Sequence, residues 1–130
     1  MARRLPIVTE ADCPDATISV ELNLQNRLNA IRVADYGPAN PMLPNERYWS
    51  DLAREWRVTP AEAKTMRCGN CAAFDISPKM IACINLGLAD SMDEFDYAHR
   101  FELGYCRMFK FKCAASRTCD AWVVGGPKTS

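Results

Sequence analysis

Histidine is almost absent from this chain. His99 is the only one among 130 residues, which gives poor support to a Ser-His-Asp triad or a Cys–His nucleophilic pair. An excess of charge is absent too: Lys plus Arg number 16 and Asp plus Glu number 16. Nucleic-acid binding draws on counterion release at a basic surface, and Arg3, Arg4 and Lys128 are too few to make one. No run of about 18 apolar residues occurs, so no membrane span is expected. Arg3-Arg4 is followed at once by Thr9, Glu10 and Asp12, which argues against a secretory or twin-arginine leader and for folding in the cytoplasm. No Gly-rich phosphate loop is present, since Gly125-Gly126 runs into Pro127 and reads as a turn. The acidic stretch Asp90, Asp93, Glu94 and Asp96 lacks the ligand spacing and central glycine of a calcium loop. Internal repeats are lacking as well. These absences speak against an enzyme, a nucleic-acid binder and a membrane protein. A neutral surface instead favours association with other proteins.

Cysteine is what the chain has in quantity. Six of its seven cysteines fall between Cys68 and Cys119, the others being Cys71, Cys83, Cys106 and Cys113, while Cys13 stands apart. Cys68-x-x-Cys71 puts two thiols on one tight turn, where both can bind one metal centre. Cys106 and Cys119 are the expected second half of a four-sulfur cage. Aromatic residues flank these positions: Phe74, Tyr105, Phe109, Phe111 and Trp122. An iron–sulfur cubane survives when apolar groups exclude water and backbone N–H groups face its sulfurs, and these rings could supply that shield. Gly69 would let the backbone approach the inorganic core. Structural zinc is one alternative, weakened by the presence of only one Cys-x-x-Cys knuckle. Three disulfides with one orphan thiol are another, although a reducing cytoplasm favours metal. Cys83 and Cys113 are expected to be bridged to each other or simply buried. Cys13 is expected to be free or an inter-subunit contact. His99 reads as a charge at a helix C-terminus rather than a ligand.

Along the chain, residues 1–17 read as an extended arm. Ile18, Val20, Leu22 and Leu24 alternate as in a short strand, and Leu24, Leu28 and Ile31 continue as a helix to about Asp35. Three prolines in Tyr36–Pro44 impose an irregular connector within a helical region spanning 18–66. Asn45 is expected to cap a helix to about Arg57 with Tyr48, Trp49, Leu52, Ala53 and Trp56 on one face. Thr59-Pro60-Ala61-Glu62 is a capping box opening a helix to about Met66. Ser77-Pro78 opens another that ends near Gly87, and Ser91-Met92-Asp93-Glu94 opens a third through Ala98. Turns and short extended pieces are expected from Leu103 onward. The cysteine-rich region covers 67–122 and a tail covers 123–130. The expected fold class is a small α-rich, irregular, metal-centred domain with an extended N-terminal arm.

The segments Arg67-Cys68-Gly69-Asn70-Cys71-Ala72-Ala73-Phe74, Gly104-Tyr105-Cys106-Arg107-Met108-Phe109 and Cys119-Asp120-Ala121-Trp122 together resemble a high-potential iron–sulfur protein. Cys106 and Cys119 enclose twelve residues, close to that family's spacing. The resemblance implies a single [4Fe–4S] cluster held by Cys68, Cys71, Cys106 and Cys119, a one-electron couple, and a small irregular fold around the cluster. It covers roughly the C-terminal half. Departures are the long Cys71-to-Cys106 stretch, the extra Cys83 and Cys113, and an N-terminal half without a counterpart. The whole chain is also similar to small uncharacterised tailed-phage proteins that pair a Tyr-Gly-Pro-x-Asn-Pro segment with this cysteine block. That likeness implies a virion component, a capsid decoration or tail protein, in which the cluster is a folding staple. Met1–Thr17 and Tyr36–Pro44 would then bind protein partners. A soluble electron carrier is the alternative role, and a zinc- or disulfide-stapled interaction protein a further one.

Overall fold

A computed structural model describes residues 5–88 and 96–130. Among them are six helices: α1 (Asp15–Ile18), α2 (Val20–Ala34), α3 (Glu46–Trp56), α4 (Pro60–Ala63), α5 (Pro78–Leu88) and α6 (Tyr97–Arg100). One antiparallel sheet runs in the order β1 (Phe74–Asp75), β2 (Leu103–Cys106), β3 (Phe111–Ala114). The domain is therefore small and mixed α/β, with a sheet where only turns and extended pieces were expected. Strands of two to four residues are too short for an alternation to register in the sequence.

Three helix starts follow from local chemistry. Thr59 and Glu62 close the expected capping box, the Thr59 side chain accepting from Glu62 N–H at 3.1 Å; the helix stops at Ala63, short of Met66. Pro78 opens α5 as expected. Asn45 precedes α3, but with φ 48° its side chain does not cap the helix. Its Nδ2 donates instead to the carbonyls of Asn40 and Leu43, tying down the Pro-rich connector. Trp49, Leu52 and Ala53 then bury against Ala63. The capping box at Ser91 lies outside the described residues; α6 is capped by Asp96, which accepts from His99 N–H at 3.1 Å.

Two N-terminal expectations are corrected. No strand forms over Ile18–Leu24. The Ser19 side chain accepts from Leu22 N–H at 3.2 Å and starts α2 at Val20. The apparent alternation arises because Val20 and Leu24 face solvent while Leu22 turns toward the core. Nor is the N-terminal segment a free arm. It carries a 3-10 turn at Glu10–Asp12 and helix α1, with Cys13, Ala16 and Thr17 buried. The Tyr36–Pro44 strip is also partly internal. Tyr36, Gly37 and Pro38 are buried, and Gly37 and Thr118 exchange backbone hydrogen bonds at 3.0 and 2.8 Å. From Ala39 onward it is largely exposed, Met42 and Leu43 included.

Helix α2 covers the free edge of β3. Asn23 Oδ1 accepts from Lys112 N–H at 2.7 Å, and Asn26 Nδ2 donates to the Lys110 carbonyl at 2.6 Å. These amides satisfy backbone groups that an edge strand would otherwise leave open. The other edge, β1, is closed by the tail. Lys128 N–H donates to the Phe74 carbonyl and Ile76 N–H to the Lys128 carbonyl, both at 2.8 Å.

Asp75 is a fully buried carboxylate in this sheet. It accepts from Arg107 Nε at 2.8 Å and from Ser77 N–H at 2.9 Å. Burial alone would push its carboxyl up, but the Ser77 and Arg107 hydrogen bonds outweigh that and hold it below the ordinary value. A depressed folded value contributes stability above the ordinary carboxylate pKa, and that contribution is lost as pH falls through the folded value. Asp75→Asn should therefore be less stable at pH 6 by about 2 kcal/mol. The gap should close below pH of about 4. Urea midpoints measured across this range check it; parallel wild-type and variant curves would rule it out.

Candidate metal centre

The sheet divides the cysteines. On one face, Tyr105 of β2 packs with α1 and α5, and Cys13 and Cys83 meet there in a disulfide with a Cα–Cα distance of 5.5 Å. This corrects two expectations at once: Cys13 is not free, and the partner of Cys83 is not Cys113. Cys83 is carried by the buried face of α5 toward the N-terminal segment. Cys113 projects from β3 on the opposite face, with Phe111 two residues earlier on the same side.

On that opposite face lies an apolar pocket. Cys68, Cys71, Cys106 and Cys119, the four expected ligands, all line it, and Cys113 joins them as a fifth sulfur. Four elements of local structure deliver them. Cys68 sits on a 3-10 turn following α4, and Cys71 N–H closes that turn onto the Cys68 carbonyl at 2.9 Å. Cys106 ends β2, and Cys113 lies within β3. Cys119 follows the Gly37–Thr118 bridge. All five thiols are free. The gap between the lining atoms totals about 360 Å³, partly open to solvent, and a water-sized sphere can centre itself in about 20 Å³ of it.

Aromatic and apolar walls complete the pocket. Phe74, Phe109 and Phe111 line it as expected. Tyr36 and Met108 line it too, and nothing in their sequence context marked them for it. Tyr36 meets Phe111 edge-on at 4.8 Å between ring centroids. Tyr105 does not line the pocket, because its neighbour Cys106 does, and successive residues of a strand face opposite ways. Trp122 packs behind the site, its Nε1 donating to the Arg67 carbonyl at 3.0 Å and Asn70 Oδ1 at 2.9 Å. Gly69 approaches Ala115 rather than the pocket centre, its N–H donating to the Ala115 carbonyl at 2.9 Å. The glycine that the pocket does require is Gly104. A Cβ there would fall 2.4 Å from the Phe74 ring. His99 does not line this pocket; its Nδ1 pairs with the Asp96 carboxylate at the surface.

Backbone amides turn toward the sulfurs. Phe109 N–H donates to Cys106 Sγ and Val123 N–H to Cys71 Sγ, each at 3.4 Å. Such contacts favour thiolate and bound-sulfur states. Burial works against them in the free protein. It raises the Cys106 thiol, pushes Cys119 up to about 12, and raises Cys113 well above its ordinary value, where the neighbouring Cys68 adds to the effect. Neutral thiols in an apolar wall are consistent with protein stability, and any metal bound here must displace their protons.

As the side chains stand, no group of three or more His, Cys, Asp or Glu among the described residues is arranged to hold a metal ion. A single tetrahedral ion bound at 2.3 Å draws its sulfurs to within about 4 Å of one another. A four-iron cubane places each thiolate on a different iron and spaces them more widely. Thiols in an apolar wall are a donor set that structural zinc and iron–sulfur centres share. No helix among the described residues is long and apolar enough to cross a membrane. No family model, curated protein or solved structure matches the chain.

Proposed function

We propose that this protein is a non-catalytic iron–sulfur protein. Its pocket would hold a [4Fe–4S] cluster on Cys68, Cys71, Cys106 and Cys119, and the cluster would staple a loop-rich half of the chain. The observation that carries this reading is the convergence of those four cysteines, from three separate segments, on one apolar pocket. Short strands and turns supply few backbone bonds there, so a metal centre is a natural source of stability. When bound, the cluster would supply covalent cross-links between segments and a one-electron couple. The chain's own residues supply the thiolates, the N–H groups facing sulfur, and the aromatic walls that keep water out.

The setting follows from the sequence resemblance to tailed-phage proteins. In it the protein is a subunit of a virion, a capsid decoration or tail component, and the exposed residues of Pro6–Asp12 and Met42–Leu43 offer surface to protein partners. A second reading, a soluble one-electron carrier, draws on Met108. This residue lines the pocket and is 47% exposed, which brings the site's edge to the surface. Iron and sulfide analysis with a visible spectrum on anaerobically purified protein tests the cluster. The expected result is four irons per chain with broad absorption near 400 nm, on the order of that of other cubanes. Zinc in place of iron, or metal-free protein with further disulfides, would overturn it. A reversible one-electron couple in a free monomer would select the carrier over the structural role.

A further inference from the structure

The inward side of helix α2 is mostly polar or small: Asn23 and Asn26 bind β3, Ala30 and Ala34 are buried, and Leu22 packs against the core. One exposed flank is apolar, with Glu21, Gln25 and Arg32 exposed beside it: Val20, Leu24, Leu28 and Ile31 are 63%, 53%, 46% and 38% exposed. Their spacing of four, four and three residues aligns them along one stripe of a four-turn helix. A solvent-facing stripe of this length is the seam of a helix pair rather than scattered surface apolarity. It is separate from the cysteine pocket and independent of what that pocket holds.

We infer that this stripe pairs with the same stripe of a second copy of the chain, the two α2 helices running antiparallel. The charges beside the stripe decide both the partner and the direction. At about 100° per residue, Glu21 and Arg32 fall on the same flank and Arg27 on the other. In an antiparallel two-fold pair, like flanks face each other and the ends are exchanged. Leu24 then meets Leu28 of the second copy, Val20 meets its Ile31, and Glu21 meets its Arg32. Four apolar contacts and two ion pairs, counting the symmetry mates, are thus satisfied by one register. A parallel pair would instead set the Arg32 flank beside Arg27, cation against cation, and leave Glu21 about three turns from the Arg32 of the other chain.

Sedimentation equilibrium of the full chain, from micromolar to millimolar concentration, tests the pairing. Wild type should dimerise. Leu24→Glu should be monomeric throughout, with an unchanged circular dichroism spectrum because Leu24 supports no internal contact in the core. Glu21→Arg and Arg32→Glu should each weaken the dimer about tenfold, since each puts like charges at two symmetry-related contacts. The double exchange should restore it to within about threefold of wild type, because both pairs are then remade in reverse. A monomeric wild type, a dimer that survives Leu24→Glu, or a double exchange no better than the single ones would each overturn the inference.

Discussion

Cys68→Ser and Cys119→Ser should each abolish iron binding and unfold the C-terminal half of the chain, whereas Cys113→Ser should keep its iron. All three residues line one pocket, so position alone does not separate them. Their local settings do. Cys68 and Cys119 lie in turns, where few ladder hydrogen bonds hold the chain once the cross-link is gone. Cys113 lies within β3, in register with Gly104 of β2, and the sheet fixes it without metal. Binding free energy at a structural metal site is folding free energy. Losing a ligand should therefore remove most of the roughly 5–15 kcal/mol that holds a small domain folded. For Cys113→Ser the cost is that of a buried hydroxyl in an apolar wall, about 1–3 kcal/mol. Iron content combined with amide exchange over β2, β3 and the Cys68 turn reads both effects. Equal iron loss in all three variants would make Cys113 a ligand and break the proposed set of four. Full iron content in Cys68→Ser would remove the cluster from this pocket.

Cutting the Cys13–Cys83 bridge should cost nearly as much as a large core truncation. The two cysteines are separated by 70 residues, and closing a loop of that length in the unfolded chain corresponds to roughly 4 kcal/mol. Cys13→Ala and Cys83→Ala should be equally damaging, and the double variant no worse than either, because one bond is lost in every case. Reduction of wild type by dithiothreitol should lower its urea midpoint to that of the variants while leaving the five pocket thiols unchanged in number. Read from sequence alone, Cys83 is a small apolar residue of α5 whose replacement should be mild. The bridge reverses that expectation. A neutral Cys13→Ala paired with a costly Cys83→Ala would show that packing, not the bridge, is what Cys83 contributes.

Local order was legible wherever one residue's chemistry forces the chain. Thr59-Pro60-Ala61-Glu62 starts a helix because the proline needs no N–H partner and the Thr and Glu side chains satisfy the orphan donors. Ser77-Pro78 and the 3/4 spacing of Trp49, Leu52 and Ala53 were equally plain. The sequence misled at Ile18–Leu24, where an exposed apolar stripe on α2 imitated a strand, and at residues 5–17, where no periodicity announces that Cys13 will be anchored. It also misplaced Tyr105. A ring beside Cys106 in sequence is, in a strand, a ring on the other face of the sheet.

What the sequence determined by itself is a chemistry: many thiols, one histidine, balanced charge, and a Cys-x-x-Cys turn with aromatic company. Those are properties of residue types and short spacings, and they hold whatever the chain folds into. The tertiary structure alone decided how seven cysteines are shared out. The three-stranded sheet sends Cys13 and Cys83 to one face and gathers Cys68, Cys71, Cys106, Cys113 and Cys119 on the other. That partition rests on pairings between strands some 30 residues apart in the chain, such as Phe74 with Cys106. Contacts at that separation leave no trace in local spacing, because they are fixed by the burial of whole faces rather than by any neighbouring residue.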